Sequence, residues 1–108
     1  MQKKHEILWT ETAEKDLISI IDFIAAENFL TAQKLLLTFK QSADTLSHLP
    51  FQGRIVPELK NQGVHLYKEL ILLHWRLIYR VSDDAAIILS VIDSRRNAED
   101  ILLERFYS

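Results

Sequence analysis

Cysteine is absent from this 108-residue chain, and glycine and proline occur only twice each. Without cysteine there is neither a disulfide framework nor a thiolate metal site, and the composition suits a reducing compartment. Scarce glycine and proline leave little room for linkers or long irregular loops. No Gly-rich loop is available to cradle a nucleotide, and no HExxH motif, histidine cluster or closely spaced acidic set points to a metal. Long apolar runs are missing too. Behind the basic start Met1-Gln2-Lys3-Lys4-His5-Glu6 stand only Ile7-Leu8-Trp9, which predicts neither a signal peptide nor a membrane span. The expected setting is the cytoplasm, with no membrane association and no small-molecule cofactor.

What remains is an ordinary globular balance, 48% hydrophobic and 26% charged, at a length that suits one domain over residues 1–108. The net charge of −2 argues against a general nucleic-acid coat. The basic residues after Gly53 are nevertheless mostly arginine: Arg54, Arg76, Arg80, Arg95, Arg96 and Arg105 against Lys60 and Lys68. Arginine carries a rigid fork of donors that grips phosphates and carboxylates.

Periodicity divides the chain into a helical and a strand-rich half. His5 to Trp9 reads as a short strand. Thr10 or Thr12 can cap a first helix in which Ala13, Leu17, Ile20, Ile21 and Ile24 recur at helical spacing to about Asn28. Thr31 can cap a second, with Ala32, Leu35, Leu36, Phe39, Ala43, Leu46 and Leu49 as its stripe and Pro50 as its stop. The short link between them requires an antiparallel helical hairpin. Phe51 to Arg54 reads as a turn and Ile55 to Gly63 as irregular. Val64 to Ile71 and His74 to Val81 then form a strand hairpin, Asp83-Asp84 a turn, Ala86 to Ile92 a further strand, and Ala98 to Phe106 a closing helix. The predicted class is α+β: an N-terminal strand and a helical hairpin packed on a small twisted antiparallel sheet, with a short C-terminal helix, in the order β-α-α-β-β-β-α.

Within the strand from His74 to Val81, Trp75, Leu77, Tyr79 and Val81 share one face, which packs on the helices. His74, Arg76, Ile78 and Arg80 share the other, expected to be uncovered and free to bind. Closing the hairpin over Ile71 to His74 sets Glu69 opposite Arg76 and His65 opposite Arg80. An acid facing a base across strands stabilises a sheet by roughly 0.2–1 kcal/mol, so Arg76 reads as an ion-pair partner as well as a phosphate clamp. His65 and His74 fall roughly 17–20 Å apart by strand rise, too far to serve one reacting group, and His48 suits a helix end. Arg95-Arg96 stands just past a buried strand, either facing a partner or bridging to Asp93, Glu99 or Asp100. Arg54 and Lys60 could extend the same patch.

The order Trp9-Thr10, Ala13-Glu14-Lys15-Asp16-Leu17, Pro50 with Gly53-Arg54, Val56-Pro57-Glu58-Leu59, Lys68-Glu69-Leu70, Arg76-Leu77-Ile78-Tyr79-Arg80-Val81 and Ile88-Leu89-Ser90-Val91-Ile92 running to Arg95-Arg96 resembles the RelE/ParE superfamily of bacterial type II toxins. That resemblance implies a growth-inhibiting toxin neutralised by a cognate antitoxin. Its RelE branch cuts mRNA on the ribosome with lysines on the hairpin strand, arginines on the following strands and a tyrosine near the C-terminus; its ParE branch poisons DNA gyrase. Arg76 and Arg95 match the nuclease arginines, with Arg96 beside them. The lysine positions fall instead at Tyr67 and Glu69, and the tyrosine position at Ile101. Long helices with acidic outer faces and the negative net charge lean toward the ParE branch, since a ribosome-binding nuclease draws its affinity from phosphate contacts. The expected partners are an antitoxin and DNA gyrase. The alternatives are the ribosome with its mRNA, or an antitoxin-binding module that has lost toxicity. The expected contact residues are Arg54, Arg76, Arg80, Arg95 and Arg96.

Overall fold

The computed structural model describes residues 4–107, so the basic start at Met1-Gln2-Lys3 lies outside the described residues. Strand β1 (Glu6–Trp9) leads into helices α1 (Glu11–Ala25) and α2 (Phe29–Asp44), which end in a 3-10 turn at Thr45–Ser47. Strand β2 (Arg54–Ile55), helix α3 (Pro57–Lys60), strands β3 (Lys68–Leu72), β4 (Trp75–Val81) and β5 (Ala85–Asp93), and helix α4 (Ala98–Phe106) complete the chain. Thr10 caps α1 by accepting from the Ala13 amide at 3.2 Å, and Glu11 and Glu14 place negative charge at the positive end of the helix. The cap of α2 is Asn28 rather than Thr31: its Oδ1 accepts from the Thr31 amide at 3.0 Å, so α2 begins at Phe29 and the helices are joined by a tighter turn.

The strands form one five-stranded sheet in the order β1-β5-β4-β3-β2. An all-antiparallel sheet was expected. Instead β1 runs parallel to β5, pairing Glu6 with Ala85 through Trp9 with Ile88, and the sheet is mixed. Parallel neighbours need a long crossover, and residues 10–84 lie between these two strands. The helical hairpin covers one face, over a core that includes Leu17, Phe39, Ala43, Leu77, Tyr79 and Ile88. Phe39 meets Trp75 edge-on at 5.7 Å between ring centroids. Trp75, Leu77 and Tyr79 therefore sit on the predicted face. A bulge between Ile78 and Tyr79 shifts the pairing with β5 by one residue and lets both faces stay filled.

The second face is covered, which overturns the expectation of a bare binding surface bearing Arg76 and Arg80. The stretch read as irregular forms β2 and α3, with Pro57 at the first helical position. Val56 and Leu59 bury themselves there with Ile78, Ile92, Ala98 and Leu102, and Tyr67 packs on Phe106 at 4.8 Å. α3 and α4 thus close a second, smaller core.

The β3–β4 hairpin also turns one residue later than predicted, which slips its register by two. Ile71 pairs with Arg76 and Glu69 with Ile78, around a turn at Leu73-His74. Leu73 adopts a left-handed φ of 56°, the conformation two-residue hairpin turns demand and one that leucine's composition signal does not announce. The His74 carbonyl then accepts from the Ser94 amide at 2.8 Å and its hydroxyl at 2.7 Å, tying the hairpin tip to the end of β5. A slip of two preserves every side-chain face, so Glu69 and Arg76 still share one. β3 begins at Lys68, so His65 lies outside the ladder and does not face Arg80.

Tyr79 joins the strand half to the loop after the helices. Its buried hydroxyl donates to the Pro50 carbonyl at 2.9 Å and accepts from the Gly53 amide at 3.0 Å. A Cβ on Gly53 would come within 2.6 Å of both that hydroxyl and the Glu69 carbonyl. Tyr79→Phe is expected to lower unfolding free energy by about 1–2 kcal/mol in urea titration, and Gly53→Ala by more, because backbone has to move.

Candidate functional site

Four charged side chains on the second face form an alternating chain. The Arg76 guanidinium donates from Nη1 and Nη2 to the two oxygens of Glu58, both at 2.7 Å, and from Nε to Glu69 Oε1 at 2.6 Å. Arg54 Nε donates to the other Glu69 oxygen at 2.7 Å. Strand alternation turns Glu69 and Arg76 inward, and α3 supplies Glu58 from above. Arg76 is 6% exposed and Glu69 1%. Hydrogen bonding from Arg76 holds the Glu58 carboxyl below the usual glutamate range, against the opposing effect of burial. The same partner raises Arg76 further, so it stays charged at any working pH.

A second polar cluster fastens α4. Beyond the end of β1 the edge of β5 is open, and Asp16 on α1 fills it, accepting from the Val91 amide and the Ser90 hydroxyl at 2.9 Å each. Arg105 on α4 donates to the same carboxylate at 2.8 Å and also to the Ser90 hydroxyl. One buried serine and one acid thereby join α1, β5 and α4.

Arg95 and Arg96 stand in the turn between β5 and α4, at the hairpin-tip end of the sheet. The Arg95 side chain is 65% exposed and reaches Asp93 at 3.2 Å through two contacts. That contact, and the Arg95 amide at 2.9 Å, hold the Asp93 carboxyl below its ordinary range. Arg96 is exposed and makes no ion pair or side-chain hydrogen bond to the other described residues. Both line a groove with His74, Trp75, Phe23 and Ile24.

The five arginines singled out in the sequence do not converge. Arg54 and Arg76 share Glu69. Arg95 and Arg96 pair up elsewhere. Arg80 lies four residues along β4 from Arg76, about 13 Å by strand rise, half-buried and opposite Ile87. The positions that would carry nuclease lysines and tyrosine, Tyr67 and Ile101, pack into the second core, while Glu69 is the acid of the ion chain. Sequence reading missed Glu58, Asp16, Ser90 and Arg105, whose meeting depends on where α3 and α4 land. It also missed Phe23, though an aromatic on the polar side of an amphipathic helix was a readable signal. Among the described residues no group of three or more His, Asp or Glu could hold a metal, and no helix is long and apolar enough to cross a membrane.

Comparison with known proteins gives a consistent pattern. Residues 7–98 match the family described as the ParE toxin of the type II toxin-antitoxin system parDE. Toxin RelE2 of Caulobacter vibrioides is 38% identical over 50 residues, which span 46% of this chain and 57% of that relative. The chromosomal ParDE system of P. aeruginosa aligns at a TM-score of 0.70 with 21% identity, covering 83% of this chain and 96% of that one. The toxin-antitoxin complex RelBE2 of Mycobacterium tuberculosis aligns at 0.64 with 20% identity, covering 86% and 94%. At such identities these two structures establish the shared fold.

Arg76→Ala leaves the buried Glu69 with only the exposed Arg54 as its ion-pair partner and is expected to cost about 3 kcal/mol of stability by chemical denaturation. The folded Glu58 value is depressed, so its contribution is complete above the ordinary value of 4.5 and is lost as pH falls through the folded value. Unfolding followed against pH should therefore show Glu58→Gln less stable than the parent at neutral pH. The two should converge in acid, below that folded value.

Proposed function

The chain belongs to the ParE toxin family of type II toxin-antitoxin systems, and on that footing we propose that it arrests growth by binding DNA gyrase. The observation that carries this reading is the closure of the second face. Cleaving RNA through its 2′-hydroxyl calls for a proton acceptor, a proton donor and free cations around the phosphate. Here Arg76 is engaged by two carboxylates and nearly sealed from solvent. Tyr67 and Ile101 are core residues, and Glu69 adds negative charge where lysine would be wanted. A net charge of −2 also favours a protein target over a phosphate-rich one.

On this reading the protein is not itself an enzyme and needs no cofactor. It works in the cytoplasm, where its target lies, and a cognate antitoxin holds it inactive. Recognition falls to the exposed Arg95 and Arg96 at the hairpin-tip end, with the exposed Arg54 and the half-buried Arg80 as outlying contacts. Arg76 serves the architecture that presents them.

Purified protein at micromolar concentration should inhibit gyrase supercoiling or trap its cleaved complex with DNA. No effect on either would overturn the gyrase proposal. A ribosome-bound message cut only when this protein is added would install the ribonuclease reading in its place, with Arg76, Arg95 and Arg96 as its catalytic candidates. Arg95→Ala combined with Arg96→Ala should raise the amount of toxin needed for growth arrest by about tenfold or more, as loss of charged interface contacts does. Unchanged arrest would show that recognition lies elsewhere.

A further inference from the structure

A pocket of about 320 Å³ lies between α1, α2 and the end of β1, and none of the arginines described above lines it. That volume falls within the usual range of small-molecule sites. Ile18 and Ile21 of α1, Leu36 of α2 and Trp9 of β1 supply apolar walls, while Glu14, Asp22 and Lys40 supply charge. We infer that this pocket binds a linear aliphatic polyamine, its hydrocarbon on Ile18, Ile21 and Leu36 and its two terminal ammonium groups on Glu14 and Asp22. The inference does not depend on which macromolecule the toxin attacks.

The spacing of the two acids sets the length of the ligand. Glu14 begins one turn past the Thr10 cap, its amide donating to the Thr10 carbonyl at 3.0 Å. Asp22 stands eight residues further along α1, about 12 Å by helix rise. Ile18, midway between them, is 57% exposed although it lines the pocket. An extended chain advances about 3.3–3.6 Å for every three bonds, so nine single bonds span about 10–11 Å. That is the distance between the end nitrogens of spermidine or 1,8-diaminooctane, and the flexible Glu14 side chain covers the remainder. Four carbons between nitrogens span about 6 Å on the same rule and reach one acid only.

The charges in the lining select a cation. Neither Glu14 nor Asp22 has an ion pair or side-chain hydrogen bond among the described residues. The neighbouring Lys15 is spent on Glu11 at 2.8 Å. Lys40 holds its ammonium over the Trp9 ring at 6.0 Å from the centroid, the outer limit of a cation–π contact. The indole therefore offers its face to a cation yet holds its own one loosely, and the exposed Lys40 can yield that place to a ligand. An anion would meet two carboxylates for one ammonium. A neutral hydrocarbon would shield both carboxylates from water without pairing them, which is costly.

The test is titration calorimetry of the full-length chain with 1,8-diaminooctane and with spermidine, both expected to bind at sub-millimolar concentration. Glu14→Gln and Asp22→Asn alter exposed side chains, so circular dichroism should show an unchanged fold. Each is expected to weaken binding about three- to fivefold, as loss of a partly exposed ion pair does, and the pair about tenfold or more. Glu27→Gln makes the same change in net charge on an exposed residue outside the pocket and should alter affinity less than twofold. Lys40→Met removes the competing cation and should tighten binding at least twofold. 1,4-Diaminobutane and octylamine, which can pair with one acid only, should each bind about tenfold more weakly than 1,8-diaminooctane. No binding of either long amine, or equal binding by parent and double variant, would overturn the inference. So would equal affinity for the short and long diamines. Binding of octanoate in their place, lost in Lys40→Met, would assign the pocket to an anion and overturn it as well.

Discussion

The clamp of Glu58 and Glu69 on Arg76 is the constraint on which the second half of the molecule depends. A guanidinium that is 6% exposed, beside a carboxylate that is 1% exposed, is tolerable only because almost every charge there has an opposite within hydrogen-bond distance. Burying either partner alone would cost several kcal/mol. Glu58 reaches Arg76 only if α3 lies over the sheet, and α3 brings Val56 and Leu59 into the core that also receives α4. The ion chain and the small apolar core thus specify one another. A pure hydrocarbon patch of this size would allow several packings; the directional bonds at Arg76 select one.

This arrangement separates the surfaces of the protein by role. The helical hairpin occupies one face of the sheet and α3 with α4 the other, so the exposed arginines Arg54, Arg95 and Arg96 lie at the ends of strands rather than across a sheet face. Asp16 reinforces the partition by closing the open edge of β5 and holding Arg105, which keeps α4 in place. On the proposed reading, recognition is left to the hairpin tip and the β5–α4 turn. The chemistry available there suits the gripping of another protein's carboxylates and apolar side chains.

The helical hairpin and the central strands were legible in the sequence because each carries a sustained period: Ala13, Leu17 and Ile24 at helical spacing, and Trp75, Leu77 and Tyr79 alternating with Arg76 and Ile78. The Glu69–Arg76 partnership was legible for the same reason, since side-chain face survives a slip of two in register. Elements created by tertiary contact were not legible. A two-residue β2 and a four-residue α3 are too short to show a period, and only the burial of Val56 and Leu59 explains them. The hairpin turn was misplaced because a leucine at positive φ gives no compositional sign. The direction of β1 was misjudged because a strand's pattern carries no information about its pairing partner. Glu58 followed α3 out of reach.

The account holds that the buried ion chain is architecture rather than chemistry. Replacing Glu69 and Arg76 together by Leu and Met, a well-packed apolar pair of similar volume, tests it directly. Such exchanges of buried ion pairs are commonly neutral or stabilising. The double variant is predicted to fold, to keep a cooperative unfolding transition and to arrest growth at the same level of expression as the parent. A folded double variant that no longer arrests growth would contradict the account, because Arg76 would then be acting on the target itself.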